Sequence, residues 1–265
     1  MIETALIGRG RWGGRVAQAL ASVSEFKGSA GRTGEPQWET LLSRQDVQAV
    51  WIATPIATHY SIALRALQMG KHVMVEKPLA ETVYEAKELV DIANQKKLVL
   101  ATGYVFLFDP VYRAWKKKVK ERTVAAIKMS WNKFGSFEES IEMNLLTHHL
   151  AIALDLFGTP NAVRGIRKES VQTECDYISI GLSYDGFEVI SEINRTAAQH
   201  EHTITADFSD GTSALWRARA SQDPLFIEAA EFVDAVKKNK VLTVSNEFGV
   251  DVLMLHERVA KAFGR

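Results

Sequence analysis

Short apolar runs and helical repeats alternate over the first hundred residues of the chain. The apolar runs that predict strands lie at 3–7, 26–30, 49–53, 72–75 and 99–102. The helical repeats between them predict helices through Val16 and Leu20 and at 38–43, 55–69 and 82–97. Because strands that alternate with helices form right-handed crossovers, residues 1–104 are predicted to be an α/β domain with a doubly wound parallel sheet.

The pattern changes in residues 105–265. Helices are predicted at 110–120, 145–157, 225–238 and 248–263, and strands at 124–134, 161–171, 177–184, 187–196, 203–208 and 212–217. Asp185-Gly186 and Asp210-Gly211 separate pairs of these strands, and Asp-Gly is a strong hairpin signal. We therefore expect a second, α+β domain with a mostly antiparallel open sheet, and with the closing helices at the domain junction.

The amino-acid composition gives information about the binding partners and the cellular location to expect. The 265 residues are 46% hydrophobic, and 32 Lys and Arg balance 32 Asp and Glu. A net charge of zero gives no electrostatic reason to expect nucleic acid or a membrane as partner. The lone Cys175 cannot form an internal disulfide, and no secretory or membrane-spanning segment is visible, so a cytoplasmic location is expected.

A glycine-rich turn joins the first predicted strand to the first helix. Residues 8–13 read Gly-Arg-Gly-Arg-Trp-Gly, which is the G-x-G-x-x-G spacing. The first glycine permits a tight turn, the second lets the backbone approach a pyrophosphate, and the third allows close helix packing. A glycine-rich turn without a ligand is the alternative. The position between strand and helix favours a Rossmann domain that binds a dinucleotide.

Lys77 follows the fourth predicted strand, in the sequence Glu76-Lys77-Pro78. Parallel strands present their carboxyl ends to the ligand crevice of an open α/β sheet, so Lys77 is predicted to deliver an ammonium group to that crevice. The alternative is a structural ion pair between Lys77 and Glu76.

Several segments together resemble one family. They are the glycine turn, Ala53-Thr54-Pro55 with His59, Gly70 to Pro78, Gly103 to Pro110, and Asn144 to Gly158. The combination is similar to the glucose-fructose oxidoreductase, inositol dehydrogenase and rhizopine-catabolism (Gfo/Idh/MocA) family. That resemblance implies NAD(P)-dependent oxidation or reduction of sugars, cyclitols and related compounds.

The resemblance also implies roles for individual residues. Lys77 would hydrogen-bond the reacting oxygen beside the nicotinamide, and His148 would be the general acid/base or its close partner. A positioned ammonium stabilises a developing alkoxide, and an imidazole moves protons near neutrality. The alternative for His148 is a core histidine with satisfied hydrogen bonds. Tyr104 and His149 are the expected substrate contacts, with a packed Tyr104 as the alternative.

The chain departs from the family at three positions. Asn144 stands where an Asp is usual, and an amide can orient a hydroxyl but cannot take its proton. Leu107 replaces a common Arg, and Tyr104 replaces a common His. These changes favour either an unusual substrate or weakened catalysis.

The cofactor is predicted to be NADP(H). Arg32 and Thr33 lie where NAD-specific chains place a carboxylate, and Arg can bind a 2′-phosphate bidentately. The alternative is NAD(H), with Glu35 on the ribose. The residues expected to bind the dinucleotide are Gly8, Arg9, Gly10, Arg11, Trp12, Gly13, Arg32, Thr33, Thr54, Pro55, His59, Glu76 and Lys77.

No metal site is expected. His148 and His149 are adjacent on a helix and point about 100° apart. His200 and His202 share one strand face, and we predict an exposed edge there.

The sequence thus predicts an NADP-linked oxidoreductase for a small polyol, sugar or keto-sugar, assembled as a homo-oligomer through the second sheet. One alternative is a Rossmann reductase of an imine, amino acid or bilin. The other is a cofactor-binding sensor or scaffold, which Asn144 favours.

Overall fold

The structure is a computed structural model that describes residues 1–31, 37–135, 137–218, 224–240, 242, 244 and 246–264. The chain divides into two compact units. The first unit comprises residues 1–105 and 223–253, and the second comprises residues 106–222 and 254–265.

A five-stranded sheet forms the centre of the first unit. Its strands are β1 (Glu3–Ile7), β2 (Glu25–Ala30), β3 (Ala49–Ile52), β4 (His72–Glu76) and β5 (Leu100–Gly103). All four pairings are parallel, and the strand order is β2-β1-β3-β4-β5. Every residue of β3 is buried, as expected of a parallel strand that is covered on both faces.

Helices connect these strands. They are α1 (Arg11–Val23), α2 (Trp38–Ser43), α3 (His59–Gln68) and α4 (Val83–Lys96). Thr82 caps α4, because its side chain accepts the Glu85 amide at 3.2 Å while the Glu85 carboxylate accepts the Thr82 amide at 3.1 Å. This reciprocal pair fixes the first turn of α4, as the sequence predicted.

The second unit contains a six-stranded sheet. In chain order its elements are α5 (Pro110–Lys120), β6 (Val124–Asn132), α6 (Thr147–Phe157), β7 (Ala162–Glu169), β8 (Tyr177–Tyr184), β9 (Phe187–Asn194), β10 (Glu201–Phe208) and β11 (Ser213–Arg217). The strand order is β11-β10-β6-β9-β8-β7, and the β6–β9 pair is parallel while the other four pairs are antiparallel.

Two closing helices follow. Helix α7 (Pro224–Lys238) packs against α1 in the first unit, and α8 (Phe248–Ala262) contributes to both units. None of the described helices has the length and hydropathy that a membrane crossing requires.

The predicted fold class is confirmed, since one sheet is parallel and the other is mostly antiparallel. The prediction of an exposed edge at His202 is wrong. Strand β10 is paired on both sides, by β11 and by β6, and His202 lies on its buried face with 4% of its surface exposed.

Candidate cofactor and active site

The glycine turn has the geometry of a dinucleotide cradle. Gly8 has φ +127°, and a Cβ there would lie 2.2 Å from the Ala53 carbonyl oxygen. A Cβ on Gly13 would lie 2.2 Å from the Gly8 carbonyl oxygen. A Cβ on Gly10 would meet no atom within 4 Å, although Gly10 is the N-cap of α1. Gly8 and Gly13 are therefore required for packing, whereas the space beside Gly10 at the start of α1 is open. The turn fits a pyrophosphate.

His59 holds two strand ends together. Its Nδ1 lies 2.8 Å from the Pro78 carbonyl oxygen, and its Nε2 lies 2.7 Å from the Thr54 carbonyl oxygen. The ring is buried. The Thr58 hydroxyl also lies at hydrogen-bond distance from Thr54 Oγ1 and from the Pro55 carbonyl oxygen. His59 therefore fixes the segments that follow β3 and β4, which form the crevice edge of the sheet.

Glu76 ends β4, directly before Lys77. The Trp51 indole N–H donates to Glu76 Oε1 at 3.1 Å, and a Cβ on Gly103 would lie 3.3 Å from the same carboxyl group. Burial raises the pKa of Glu76, while the Trp12 and Trp51 indoles and the charge of Lys77 oppose that rise. Both Glu76 and Lys77 are partly exposed. The fourth strand therefore ends in two adjacent ionisable groups.

Tyr104 follows β5 and is buried in the first unit. Its ring packs edge to face on Phe248, with 5.6 Å between the ring centroids. This geometry favours the packed alternative, and a substrate contact by Tyr104 stays a prediction.

A π-helical segment precedes α6 in the second unit, at Glu142–Leu146. Asn144 lies in this segment, and its backbone N–H donates to the Ser140 carbonyl oxygen at 2.9 Å. Such segments are frequent at functional sites. His148 follows in the first turn of α6, and its ring packs edge to face on Phe106 at 5.0 Å. Periodicity alone predicted an ordinary helix from residue 145, because a π-helix has no distinct hydrophobic signature.

His149 is fully buried beside His148. Its Nδ1 lies 2.7 Å from Ser191 Oγ, and its Nε2 lies 3.1 Å from His202 Nε2. The ring of His202 stacks on Trp131 with the centroids 4.2 Å apart. Desolvation lowers the pKa of His149 to about 3. The geometry favours a packing role for His149 in the core, and its predicted substrate contact has no support from these distances.

A cavity of about 380 Å³ lies in the second unit beside the π-helical segment. Glu142 and Met143, which precede Asn144, form part of its wall, and Lys168 pairs with Glu142 at 2.6 Å. Sequence reasoning missed this cavity because its wall combines residues from distant segments. Among the residues that the structure describes, no group of three or more His, Cys, Asp or Glu could hold a metal ion.

The predicted cofactor residues Arg32 and Thr33 lie outside the described residues. Arg9 is described and is exposed at the carboxyl end of β2. Its Nη2 donates to the Ser29 carbonyl oxygen, and its Nε lies 3.4 Å from Ser29 Oγ. A guanidinium group is therefore held where β2 ends.

Comparison with known proteins agrees with this geometry. The profile of an oxidoreductase family with an NAD-binding Rossmann fold matches residues 4–104. The UDP-N-acetylglucosamine 3-dehydrogenase of Acidithiobacillus ferrooxidans is 30% identical over 93% of this chain and 87% of that protein. The chain belongs to the Gfo/Idh/MocA oxidoreductase family. It is accordingly an NAD(P)-dependent oxidoreductase of CH–OH or C=O groups.

Other Gfo/Idh/MocA relatives match over nearly the full chain. The NADP⁺-dependent scyllo-inositol 2-dehydrogenase IolU of Bacillus subtilis is 27% identical over 94% of this chain and 92% of that protein. The crystal structure of GnnA from A. ferrooxidans superposes with a TM-score of 0.88, at 23% identity, over 98% of this chain and 97% of that chain. The structure of GenD2 in complex with NAD superposes with a TM-score of 0.88, at 18% identity, over 100% of this chain and 95% of that chain. The structural matches establish the shared fold.

Proposed function

We propose that this protein transfers hydride between NADP(H) and a small polyol, sugar or keto-sugar. The observation that carries the proposal is the arrangement of the first unit, where the glycine turn forms a pyrophosphate cradle and β4 ends in Glu76 and Lys77. Relatives named for a nucleotide sugar and for an inositol support a polyhydroxylated substrate.

When bound, the nicotinamide would supply the carbon that accepts or donates hydride. The glycine turn and the first turn of α1 would hold the pyrophosphate. Lys77 would donate a hydrogen bond to the reacting oxygen and stabilise the negative charge that develops there. In the second unit, His148 is the candidate for moving the proton, and Asn144 for orienting a hydroxyl group.

Two glycines at the start of α1 offer a matched test of the cradle. We expect Gly10→Ala to fold normally but to bind NADPH at least tenfold more weakly, because its Cβ would enter the space proposed for the pyrophosphate. A Cβ on Gly14 would also meet no atom within 4 Å, and Gly14 is exposed, so Gly14→Ala is the control and should bind normally. Titration of NADPH fluorescence measures both. Equal binding by the two variants would refute the cradle.

The preference for NADP(H) is supported by the guanidinium of Arg9 at the end of β2, where an adenosine ribose lies in Rossmann domains. We expect Arg9→Ala and Arg32→Ala each to weaken the binding of NADPH about tenfold and the binding of NADH less than threefold. Arg65→Ala, an exposed change on α3, is the control. NADH binding as tight as NADPH in the wild type, with a ratio that neither variant alters, would contradict the preference.

The substrate class is tested by turnover at 340 nm over a panel of polyols, keto-sugars and nucleotide sugars. An imine and an amino acid in the same panel test the alternative reductase. Asn144 favours a second candidate, a cofactor-binding sensor, since an amide cannot relay a proton. NADPH binding without turnover on any compound would support the sensor.

We also propose that the open face of the six-stranded sheet forms a homo-oligomer contact. Ile190 lies on that face beside Lys128 of the neighbouring strand. Light scattering should show that Ile190→Lys lowers the molar mass. The control Val171→Lys changes an exposed loop residue and should leave it unchanged. A wild-type monomer would refute this contact.

A further inference from the structure

Glu228 is a buried acid on α7. Its side chain has no solvent exposure, and neither carboxyl oxygen forms a hydrogen bond of standard geometry with any described residue. An ionised carboxylate in such a place would lose its hydration without compensation, which is among the most unfavourable arrangements in a protein interior. The geometry therefore requires either a neutral acid or a donor.

Glu76 belongs to the same unit, and its carboxyl group is near enough to act on Glu228 electrostatically. Burial raises the pKa of Glu228 well above its usual range, and the negative charges of Glu76 and of Glu231 on α7 act in the same direction. The backbone N–H of Tyr104 also faces Glu228 and opposes these effects. Two carboxylates in this position would repel each other, so the pair holds a proton.

The donors around the pair decide which acid carries the proton. Glu76 accepts from the Trp51 indole at 3.1 Å and lies beside the positive charge of Lys77. The Trp12 indole also faces Glu76, although it makes no hydrogen bond of standard geometry with a described residue. Glu228 has no comparable side-chain donor within the described part of the chain. The ionised form is therefore stabilised on Glu76 and the neutral form on Glu228.

We propose that Glu228 is a positioning residue that carries a proton at neutral pH, so that Glu228 and Glu76 together hold one negative charge. That charge lies on Glu76, the residue directly before Lys77. If Glu228 were ionised, repulsion would displace the end of β4. The effect on catalysis rests on the proposed function of Lys77, whereas the protonation of Glu228 does not.

The net charge of suitable variants shows whether Glu228 is protonated, and measuring it requires neither substrate nor cofactor. We expect Glu228→Gln to leave the net charge at pH 7.5 unchanged in capillary electrophoresis, because it replaces a neutral acid with a neutral amide. The matched control Glu257→Gln, at an exposed site on α8, should add one positive charge. The double variant Glu76→Gln with Glu228→Gln should also add one. A full charge added by Glu228→Gln alone would overturn the proposal, as would two charges added by the double variant.

Kinetics test the positioning role. We expect Glu228→Ala to lower kcat at least tenfold with less than a threefold change in the KM for cofactor. Glu228→Gln, which keeps the size and the neutral state of the protonated acid, should restore at least half of that loss on a logarithmic scale. Equal losses in both variants would contradict positioning by a neutral side chain of this size. If the wild type shows no turnover, the proposed function fails, and the charge count still decides whether Glu228 is protonated.

Discussion

Asp176 in the second unit and Glu228 in the first are both carboxyl groups with no solvent exposure, yet their surroundings are opposite. The Asp176 carboxylate accepts hydrogen bonds from the backbone amides of Val171, Gln172 and Thr173 at 2.5 to 2.9 Å. It also accepts one from the Arg195 guanidinium at 2.9 Å. Glu228 faces another acid and lacks such donors among the described residues. The hydrogen bonds to Asp176 lower its pKa despite burial, whereas burial raises the pKa of Glu228.

The difference shows that burial alone does not identify a functional acid. Asp176 closes a loop and neutralises Arg195, so its partners explain its presence fully. In the part of the chain that the structure describes, Glu228 has no hydrogen-bond partner, and it lies within the electrostatic influence of Glu76, which directly precedes the residue proposed to act on substrate. A buried ionisable group that the fold leaves unsatisfied is the more informative of the two.

The largest expected effect comes from exchanging each acid for its amide. Asp176→Asn should destabilise the protein by about 3–5 kcal/mol, because it removes the carboxylate that pairs with the buried Arg195 guanidinium at 2.9 Å. Glu228→Gln should cost no more than about 1 kcal/mol at pH 5, since it replaces one neutral group with another of nearly the same size. Urea denaturation of both variants measures the difference, and equal costs would remove the distinction between the two sites.

A smaller effect is expected at His59, a buried ionisable group of the first unit that is fully partnered. His59→Ala removes the imidazole that lies at hydrogen-bond distance from the carbonyl oxygens of Thr54 and Pro78, and we expect a loss of about 2 kcal/mol. The same denaturation experiment applies, with Ser61→Ala as an exposed control on α3. If His59→Ala lost as little stability as the control, the hydrogen-bond partners of a buried group would not determine how much its removal destabilises the protein.

The smallest effect, taken over one unit of pH, is a difference in pH dependence. Glu228 has a raised pKa in the folded state, so its contribution to stability is present below about pH 4.3, the unfolded value, and is lost as pH rises. Asp176 has a lowered pKa, so its contribution is present above about pH 3.9 and is lost as pH falls. Between about pH 5 and 8, Glu228→Gln should therefore gain stability over the wild type by up to about 1.4 kcal/mol per pH unit.

Urea midpoints at half-unit intervals of pH test this slope. Glu257→Gln serves as the control, because it removes an exposed acid and should follow the wild type above about pH 5. A constant difference between Glu228→Gln and the wild type over this range would contradict a proton on Glu228.

Most of the fold could be predicted from the sequence, because the strands and helices of each unit have clear local sequence patterns. The helix Pro110–Lys120 and the strand Tyr177–Tyr184 have the predicted bounds, since a proline start and an Asp-Gly turn mark them locally. The π-helical segment was missed, because its wider turn is set by packing. The capping box at Thr82 was correct because all of its atoms lie within four residues.

The candidate site was predictable only in part. Motif spacing identified the glycine turn and the strand directly before Lys77. Each of these features is formed by one strand and the turn that follows it, so its residues are close together in the sequence. Glu228 had no signal, since it lies 152 residues from Glu76 and looks like any acid on an amphipathic helix. His149 appeared polar and available in sequence, but two hydrogen bonds and full burial place it in the core.

The central claim is that Lys77 stabilises the reacting oxygen while the first unit holds the cofactor. Lys77→Met should bind NADPH within threefold of the wild type by fluorescence, and its kcat on the best substrate of the panel should fall by about a thousandfold, in the range that loss of one oxyanion donor produces. Lys87→Met, an exposed change on α4, should match the wild type in both measurements. Full turnover by Lys77→Met with normal NADPH binding would contradict the account.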